Sequence, residues 1–343
     1  MSGIKIYYHL SGYISHRRAG LAYMDCLRAL GGAGFFLVED PGESDVLILH
    51  DEPTCYQELL AKLPPRPGRK HIGYAVWETP QLPRPYADGV KSVDAVWTAS
   101  EFSRAAFAPH VPCFVLPHVA LRPKVDRGSL LWARERLGMT GETREERDCF
   151  YFYTIIDAVN PRKDIRSLLT AFSRAFPAPG DKVRLVVKQY RKALNLDGIP
   201  HVIDIPEMLD DGQIAALHTL CDACVSSHHA ESWGLSLSEA LCFGNPVIAT
   251  GYSGNTEFMT FDNSFPVKYT ISPVSERMCR VLPRLFSPDM TWADIDLADF
   301  ARILRQVRFQ GVSREFRRRA AESMKAFAPA AVCERLRNLL ENG

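Results

Sequence analysis

Two glutamates, Glu231 and Glu239, stand eight positions apart where an apolar run gives way to a loop and a new helix. The stretch reads His228-His229-Ala230-Glu231-Ser232-Trp233-Gly234-Leu235-Ser236-Leu237-Ser238-Glu239-Ala240-Leu241. A strand is expected to end near Ser227, and Gly234 to let the chain turn tightly into a helix from Leu235. The unpaired N–H groups at such a helix start form an anion site, so Ser232, Trp233, Gly234 and Leu235 are candidates to cradle a diphosphate without metal. Glu231 in the loop and Glu239 one turn into the helix can each accept hydrogen bonds from a hydroxyl-rich group on either side of that phosphate. Acids also favour early helical turns for the dipole alone, so the pair carries weight only with its surroundings.

Those surroundings supply cations. Asn160-Pro161-Arg162-Lys163 follows an aromatic strand at 149–157, and positive charge at a helix start opposes the dipole and invites an anion. Lys188, near the end of a strand expected at 183–188, is a further candidate for phosphate charge. In the first half, Gly12 follows the first strand within Ser11-Gly12-Tyr13, and His118 is expected at a strand end facing the same cleft. Trp77 and Trp97 read as core residues.

The elements that must position these residues form two series. Strands are expected at 4–10, 35–39, 45–50, 71–77, 94–99 and 113–118, with helices at 19–30 and 56–62. The apolar pattern lapses between 120 and 148, around one short helix at 129–137. It resumes with strands at 149–157, 183–188, 201–205, 223–227 and 246–250, alternating with helices at 164–176, 211–220 and 235–243. Helices are expected again at 302–310, at 314–327 and from Pro329. Alternating strands and helices imply parallel sheets covered on both faces, with a ligand cleft at the carboxyl ends of the strands. The expected division is a first domain over 1–125, a linker over 126–148, a second domain over 149–328, and a last helix over 329–343 returning to the first.

These strings resemble the family-4 retaining glycosyltransferases of the GT-B fold. Glu231 and Glu239 match that family's E-x7-E signature. Gly244-Asn245-Pro246-Val247-Ile248-Ala249, Gly254-Asn255-Thr256-Glu257 and Asn160-Pro161-Arg162-Lys163 are similar to its second domain. Trp77-Glu78-Thr79, Asp94-Ala95-Val96-Trp97-Thr98-Ala99-Ser100-Glu101-Phe102 and Leu116-Pro117-His118 resemble a subgroup's first domain. The resemblance implies a nucleotide-sugar donor, UDP- or GDP-linked, with Glu231 on the sugar hydroxyls, Glu239 on the ribose and Lys163 on the diphosphate. The loop bearing Gly12 would lie beneath the phosphates. It implies a glycan or lipid-linked acceptor, transfer with retention, and no metal or cofactor. One position departs: the family's arginine six residues before the lysine is Asp157 here, leaving Arg162 or Lys188 to replace its charge. A nucleotide-sugar epimerase of the same fold, or a non-catalytic nucleotide-binding scaffold, are the alternative readings.

Composition bounds what else the chain does. Its 343 residues, 46% hydrophobic and 24% charged, suit two globular domains. A net charge of +1 gives no global field for nucleic acid. The exception is local: Arg302, Arg305, Arg308, Arg314, Arg317, Arg318 and Arg319 face one acid, Glu315, within 301–319. That run is a candidate peripheral contact with anionic membrane, or a solvated helix face. Nine scattered cysteines suggest reduced thiols in a cytoplasmic protein rather than a disulfide framework. Cys221-Asp222-Ala223-Cys224 is read as a helix end and a buried strand, not a zinc site. The start carries no signal-peptide layout, and no apolar stretch approaches membrane-spanning length.

Overall fold

The structure is a computed structural model that describes residues 3–140, 146 and 148–342; most of the mixed-charge stretch expected as linker, 141–145 and 147, lies outside the described residues. Two six-stranded parallel sheets form in series. The first contains β1 (Ile4–Leu10), β2 (Phe35–Leu37), β3 (Val46–His50), β4 (Lys70–Tyr74), β5 (Ala95–Thr98) and β6 (Cys113–Val115), in the order β2-β1-β3-β4-β5-β6. The second contains β7 (Phe150–Ile156), β8 (Val183–Gln189), β9 (Val202–Ile205), β10 (Ala223–Ser226), β11 (Val247–Thr250) and β12 (Phe265–Val267), in the order β12-β11-β10-β7-β8-β9. Each order reverses once, between β1 and β3 and between β7 and β10, and such reversals open a crevice at the carboxyl ends of the strands. The expected strands are present: β1 matches its expected bounds, β8 runs one residue longer, and the others are shorter by one to three residues.

Helices cover both sheets: α1 (Ile14–Ala29), α2 (Tyr56–Ala61), α3 (Arg84–Gly89), α4 (Glu101–Phe107) and α5 (Arg127–Arg136) in the first part of the chain. In the second come α6 (Ile165–Ala175), α7 (Asp211–Leu220), α8 (Leu235–Cys242), α9 (Glu276–Val281), α10 (Leu297–Gln310), α11 (Arg314–Ser323) and α12 (Pro329–Asn342). Their starts are chemically set. Asp164 caps α6 through Ser167, Asp210 and Gln213 form a reciprocal capping box on α7, and Asp296 caps α10. In α6, Ile165, Leu168, Ala171, Phe172 and Ala175 recur at helical spacing and bury against the second sheet and α10.

Three features join the two halves. First, α12 returns to pack on α1, where Val332 and Leu336 are fully buried among Tyr23, Leu27 and Ile6. Second, Cys26 of α1 and Cys333 of α12 form a disulfide with Cα atoms 5.0 Å apart, while seven cysteines remain free. The expectation of uniformly reduced thiols is thereby corrected. The partners lie 307 positions apart, and only the return of α12 brings them together. Third, an antiparallel hairpin of β13 (Tyr269–Pro273) and β14 (Thr291–Ile295) carries α9 across to the first sheet. Its Met278, Phe286, Met290 and Trp292 share one core with Leu47, Leu49, Trp77 and Tyr86, and Phe286 lies 4.9 Å from the Trp77 ring. Sequence patterning left this strap unassigned because the exposed face of β13 shows no alternation.

The arginine run on α10 and α11 is less free than its count suggests. Arg302 pairs with Asp299, and Arg318 pairs with Glu315 and Glu322, acids that lie one turn away on the same helices. Among the described residues no helix is long and apolar enough to cross a membrane.

Because Phe286 is almost fully buried against Trp77, Phe286→Ala is expected to cost about 3–5 kcal/mol. Urea unfolding of wild type and variant measures it. A loss under about 1 kcal/mol would show that the strap does not hold the halves together.

Candidate active site

The site is assembled where β7 and β10 diverge. After β7 the chain passes Asp157 and turns through Pro161–Lys163, with Asn160 accepting from the Arg162 N–H. After β10 it passes His228 and His229 and reaches Glu231. The two loops are tied together where the His229 N–H donates to the Arg162 carbonyl. The Ala293 N–H of the strap in turn donates to the His229 carbonyl, and the His229 ring stacks on Trp292 at 4.1 Å.

Glu231 is fixed from both ends. Its N–H donates to the Ser253 hydroxyl at 2.7 Å, and its carbonyl accepts from the Gly254 N–H at 2.7 Å. Ser253 holds a left-handed φ of 74°, a strained backbone retained where surrounding contacts over-determine it. Gly254 approaches so closely that a Cβ there would lie 2.0 Å from the Ser232 carbonyl oxygen. Only glycine fits.

The Glu231 carboxylate, itself largely buried, meets Lys163 through Oε1 and Arg162 Nη1 through Oε2 at 3.2 Å. Arg162 also donates to the Ala230 carbonyl at 2.5 Å and pairs through Nη2 with Glu78 at 3.2 Å. Glu78 follows β4, so this pair crosses from the second sheet's loops to the first's. Two cations and two acids are therefore enclosed together, which burial permits only because each charge is paired. Burial alone would raise the Glu231 carboxyl, but Lys163 and Arg162 outweigh it and hold it down to about 2. Burial also pulls the Lys163 ammonium below its ordinary value, against the opposing pull of Glu231. His228, buried between Ser226 and Asn255, is pushed down to about 4 by burial and stays neutral.

Glu239 lies on α8, whose start is set by Gly234 at φ 93°. The Gly234 carbonyl accepts from both the Leu237 and Ser238 N–H groups, while the first helical N–H groups have no intrahelical acceptor. Arg18 of α1 reaches across the cleft to Glu239 Oε1 at 3.0 Å. Tyr190, after β8, stands beside it: burial and then the Glu239 charge raise its hydroxyl.

The remaining expected residues divide. Ser232 is half-buried beside Glu231, and Gly12 sits exposed on the first sheet's β1–α1 turn with open space around it. His118 faces Trp233 edge-on at 5.9 Å and accepts or donates at Nδ1 with the Tyr23 hydroxyl at 3.1 Å. Burial, with His16 adding, pushes it down to about 3, so its imidazole is neutral. The Trp233 ring is core: it packs on Phe258 and Phe327 and donates to the Ser238 hydroxyl, leaving only its backbone near the helix start. Lys188 stands apart from the cluster. It is wholly buried, donates to the Gln189 carbonyl and lies 4.1 Å over the Tyr190 ring. At the departing position, Asp157 pairs with Arg191 at 3.6 Å, and Arg191 extends toward the Tyr13 ring of the opposite loop. Glu78, Arg18 and Arg191 stand outside the expected site set: Glu78 follows β4, Arg18 lies on α1 just after the Gly12 turn, and Arg191 follows β8. Glu78 and Arg18 lay within strings that carried the resemblance, and Arg191 did not.

Residues 145–265 match the family model described as Glycosyl transferases group 1. The chain carries a glycosyltransferase domain. That domain spans the β7 and β10 loops, both glutamates and Gly254. No curated protein sequence matches the chain. Among solved structures it is similar to HepE of Anabaena in complex with UDP and glucose, with TM-score 0.66 and 12% identity over 99% of each chain. It is similar to sucrose-phosphate synthase from Thermosynechococcus elongatus, with TM-score 0.64 and 13% identity over 99% of this chain and 98% of that one. A third is TarM of S. aureus, in complex with UDP and alpha-GlcNAc-glycerol, with TM-score 0.60 and 13% identity; there the match covers 93% of this chain but 58% of the other. The fold is GT-B, with two Rossmann-like domains. Among the described residues no group of three or more histidines, cysteines and acids is placed to hold a metal, and Cys221 and Cys224 are buried at a helix end and in β10.

The Glu231 carboxyl sits below the ordinary glutamate value of about 4.3, so its contribution to stability is present above that pH and lost as pH falls toward 2. Lys163→Met removes its strongest cationic partner. The stability gap between wild type and Lys163→Met should be largest near neutrality and close as pH falls from about 4.5 to 2. Urea midpoints across that range report it, and a gap independent of pH would sever Glu231 from Lys163.

Proposed function

We propose that the protein is a family-4 type retaining glycosyltransferase that moves a sugar from a nucleoside-diphosphate donor to a hydroxyl of a glycan or lipid-linked acceptor. One observation carries the reading: Glu231, clamped by Arg162 and Lys163, sits beside the α8 start and Glu239 at the crevice between β7 and β10. In this reading Glu239 accepts from the ribose hydroxyls, taking them in place of Arg18, and Glu231 accepts from the donor sugar. The diphosphate lies between them over the N–H groups at Gly234 and Leu235.

Charge on the leaving nucleoside diphosphate is met by Lys163 and Arg162, with Arg18 or Arg191 arriving from the cleft walls. Lys188 is too deeply enclosed to be first choice for the charge missing at Asp157, and Arg191, already paired to Asp157, is better placed. Fixed cations and backbone amides supply what a metal would otherwise supply, so transfer proceeds without one. The acceptor oxygen bonds to the anomeric carbon on the face the leaving group vacates as the carbon–phosphate-oxygen bond breaks. The acceptor proton passes to the departing phosphate. The domain carrying the donor is taken as 149–328, with 1–125 and the last helix forming the acceptor side. UDP is the favoured nucleotide, because HepE and TarM were solved with it.

A thermal-shift series with UDP, GDP and ADP in EDTA tests this. One diphosphate should raise the melting temperature, and Glu239→Ala should weaken its binding about 10- to 100-fold, the worth of hydrogen bonds to a charged group. With a competent acceptor, the product should keep the donor's anomeric configuration. No shift with any nucleotide would overturn the donor site, and an inverted product would overturn retention.

A further inference from the structure

Glu239 is approached from its interior side by a chain of hydrogen bonds that the donor reading does not use. His218, in the last turn of α7, is buried to 1% exposure, and its Nε2 makes no hydrogen bond. That nitrogen lies 3.6 Å from Glu239 Oε2, while Arg18 approaches Oε1 at 3.0 Å. The other ring nitrogen, Nδ1, lies 2.7 Å from the Tyr153 hydroxyl of β7. Asn245, between α8 and β11, donates through Nδ2 to that hydroxyl at 3.1 Å and to the His218 carbonyl.

The direction of the chain is fixed by its far end. Arg317 Nη1 lies 3.5 Å from Asn245 Oδ1, and a guanidinium has no acceptor, so Oδ1 must face it and Nδ2 must face Tyr153. Tyr153 therefore accepts from Asn245, an arrangement in which its own proton can go to His218 Nδ1, a stronger acceptor than a neutral thiol. The neighbouring Cys224 thiol, pushed up to about 12 by burial, stays protonated and does not compete for that proton as a thiolate. With Nδ1 accepting, a neutral imidazole carries its hydrogen on Nε2, aimed at Glu239. Phe243, stacked on the ring at 5.2 Å, and Tyr153, edge-on at 5.4 Å, prevent it from turning away.

We infer that His218 is a positioning residue that holds the Glu239 carboxylate in the orientation needed to accept from the donor ribose, with Tyr153 and Asn245 setting its tautomer. The inference rests on the reading of Glu239 as the ribose acceptor. In the empty cleft Arg18 shares the hold on Glu239; once ribose hydroxyls replace Arg18, His218 keeps its hold on the carboxylate, and the 3.6 Å approach contracts to a hydrogen bond.

The test compares UDP with 2′,3′-dideoxy-UDP by isothermal titration, since only the first offers ribose hydroxyls. Wild type should prefer UDP about 10- to 100-fold. His218→Phe keeps an apolar ring but no donor, and should reduce that preference about tenfold while leaving affinity for the dideoxy form unchanged. His218→Gln, whose amide can reach toward Glu239, should restore part of it. In turnover, His218→Phe should raise the donor KM with little change in kcat. A wild-type preference retained in His218→Phe, or equal weakening toward both nucleotides, overturns the positioning role. A wild type without any preference overturns the ribose reading of Glu239 itself, and the inference with it.

Discussion

A carboxylate enclosed between an arginine and a lysine is costly to assemble, because each charge loses its water and must recover the loss from its partners. Glu231 recovers it from Lys163 and Arg162, and Arg162 recovers its remaining share from Glu78. Removing any one of the four would strand another. That mutual dependence explains why the surrounding backbone tolerates so little freedom. Ser253 is held in a left-handed conformation, Gly254 admits no side chain, and the His229 backbone stitches the β7 loop to the strap. The rigid loops are the means by which paired charges stay paired.

The same cluster links chemistry to architecture. Glu78 belongs to the first sheet and Arg162 to the second, so their ion pair spans the cleft, as does that between Arg18 and Glu239. Away from the cleft, the strap from β13 to β14, the return of α12 and the Cys26–Cys333 disulfide hold the halves by apolar and covalent contact. The polar bridges sit where a ligand would enter and the apolar ones where none would. A diphosphate and its ribose can exchange for polar cross-cleft contacts at modest cost, because a charge released from one partner finds another in the ligand. Phe286 and Trp77 offer no such exchange.

Much of this was legible in the sequence because it is local. The parallel strands announced themselves as short apolar runs between helices, and the string from His228 to Ala249 placed Glu231, Gly234 and Glu239 on a loop, a turn and a helix. Arg162 and Lys163 were legible for the same reason. What escaped was set by distance along the chain. Arg18 meets Glu239, Glu78 meets Arg162 and Cys26 meets Cys333 only after both sheets have formed, and no spacing rule reaches that far. Trp233 was read as part of the donor loop, yet its indole serves the core while its backbone remains at the helix start. The strap escaped because its apolar residues are spread through turns and a short helix, without the period of either strand or helix.

The claim on which all of this turns is that the two glutamates are the donor's grip, currently occupied by the protein's own cations. A crystal structure with UDP bound tests it most directly. The account predicts ribose hydroxyls on Glu239 in the place of Arg18, and the diphosphate over the first turn of α8 within reach of Lys163. A nucleotide bound elsewhere, or an Arg18–Glu239 pair left intact beneath it, would contradict the account.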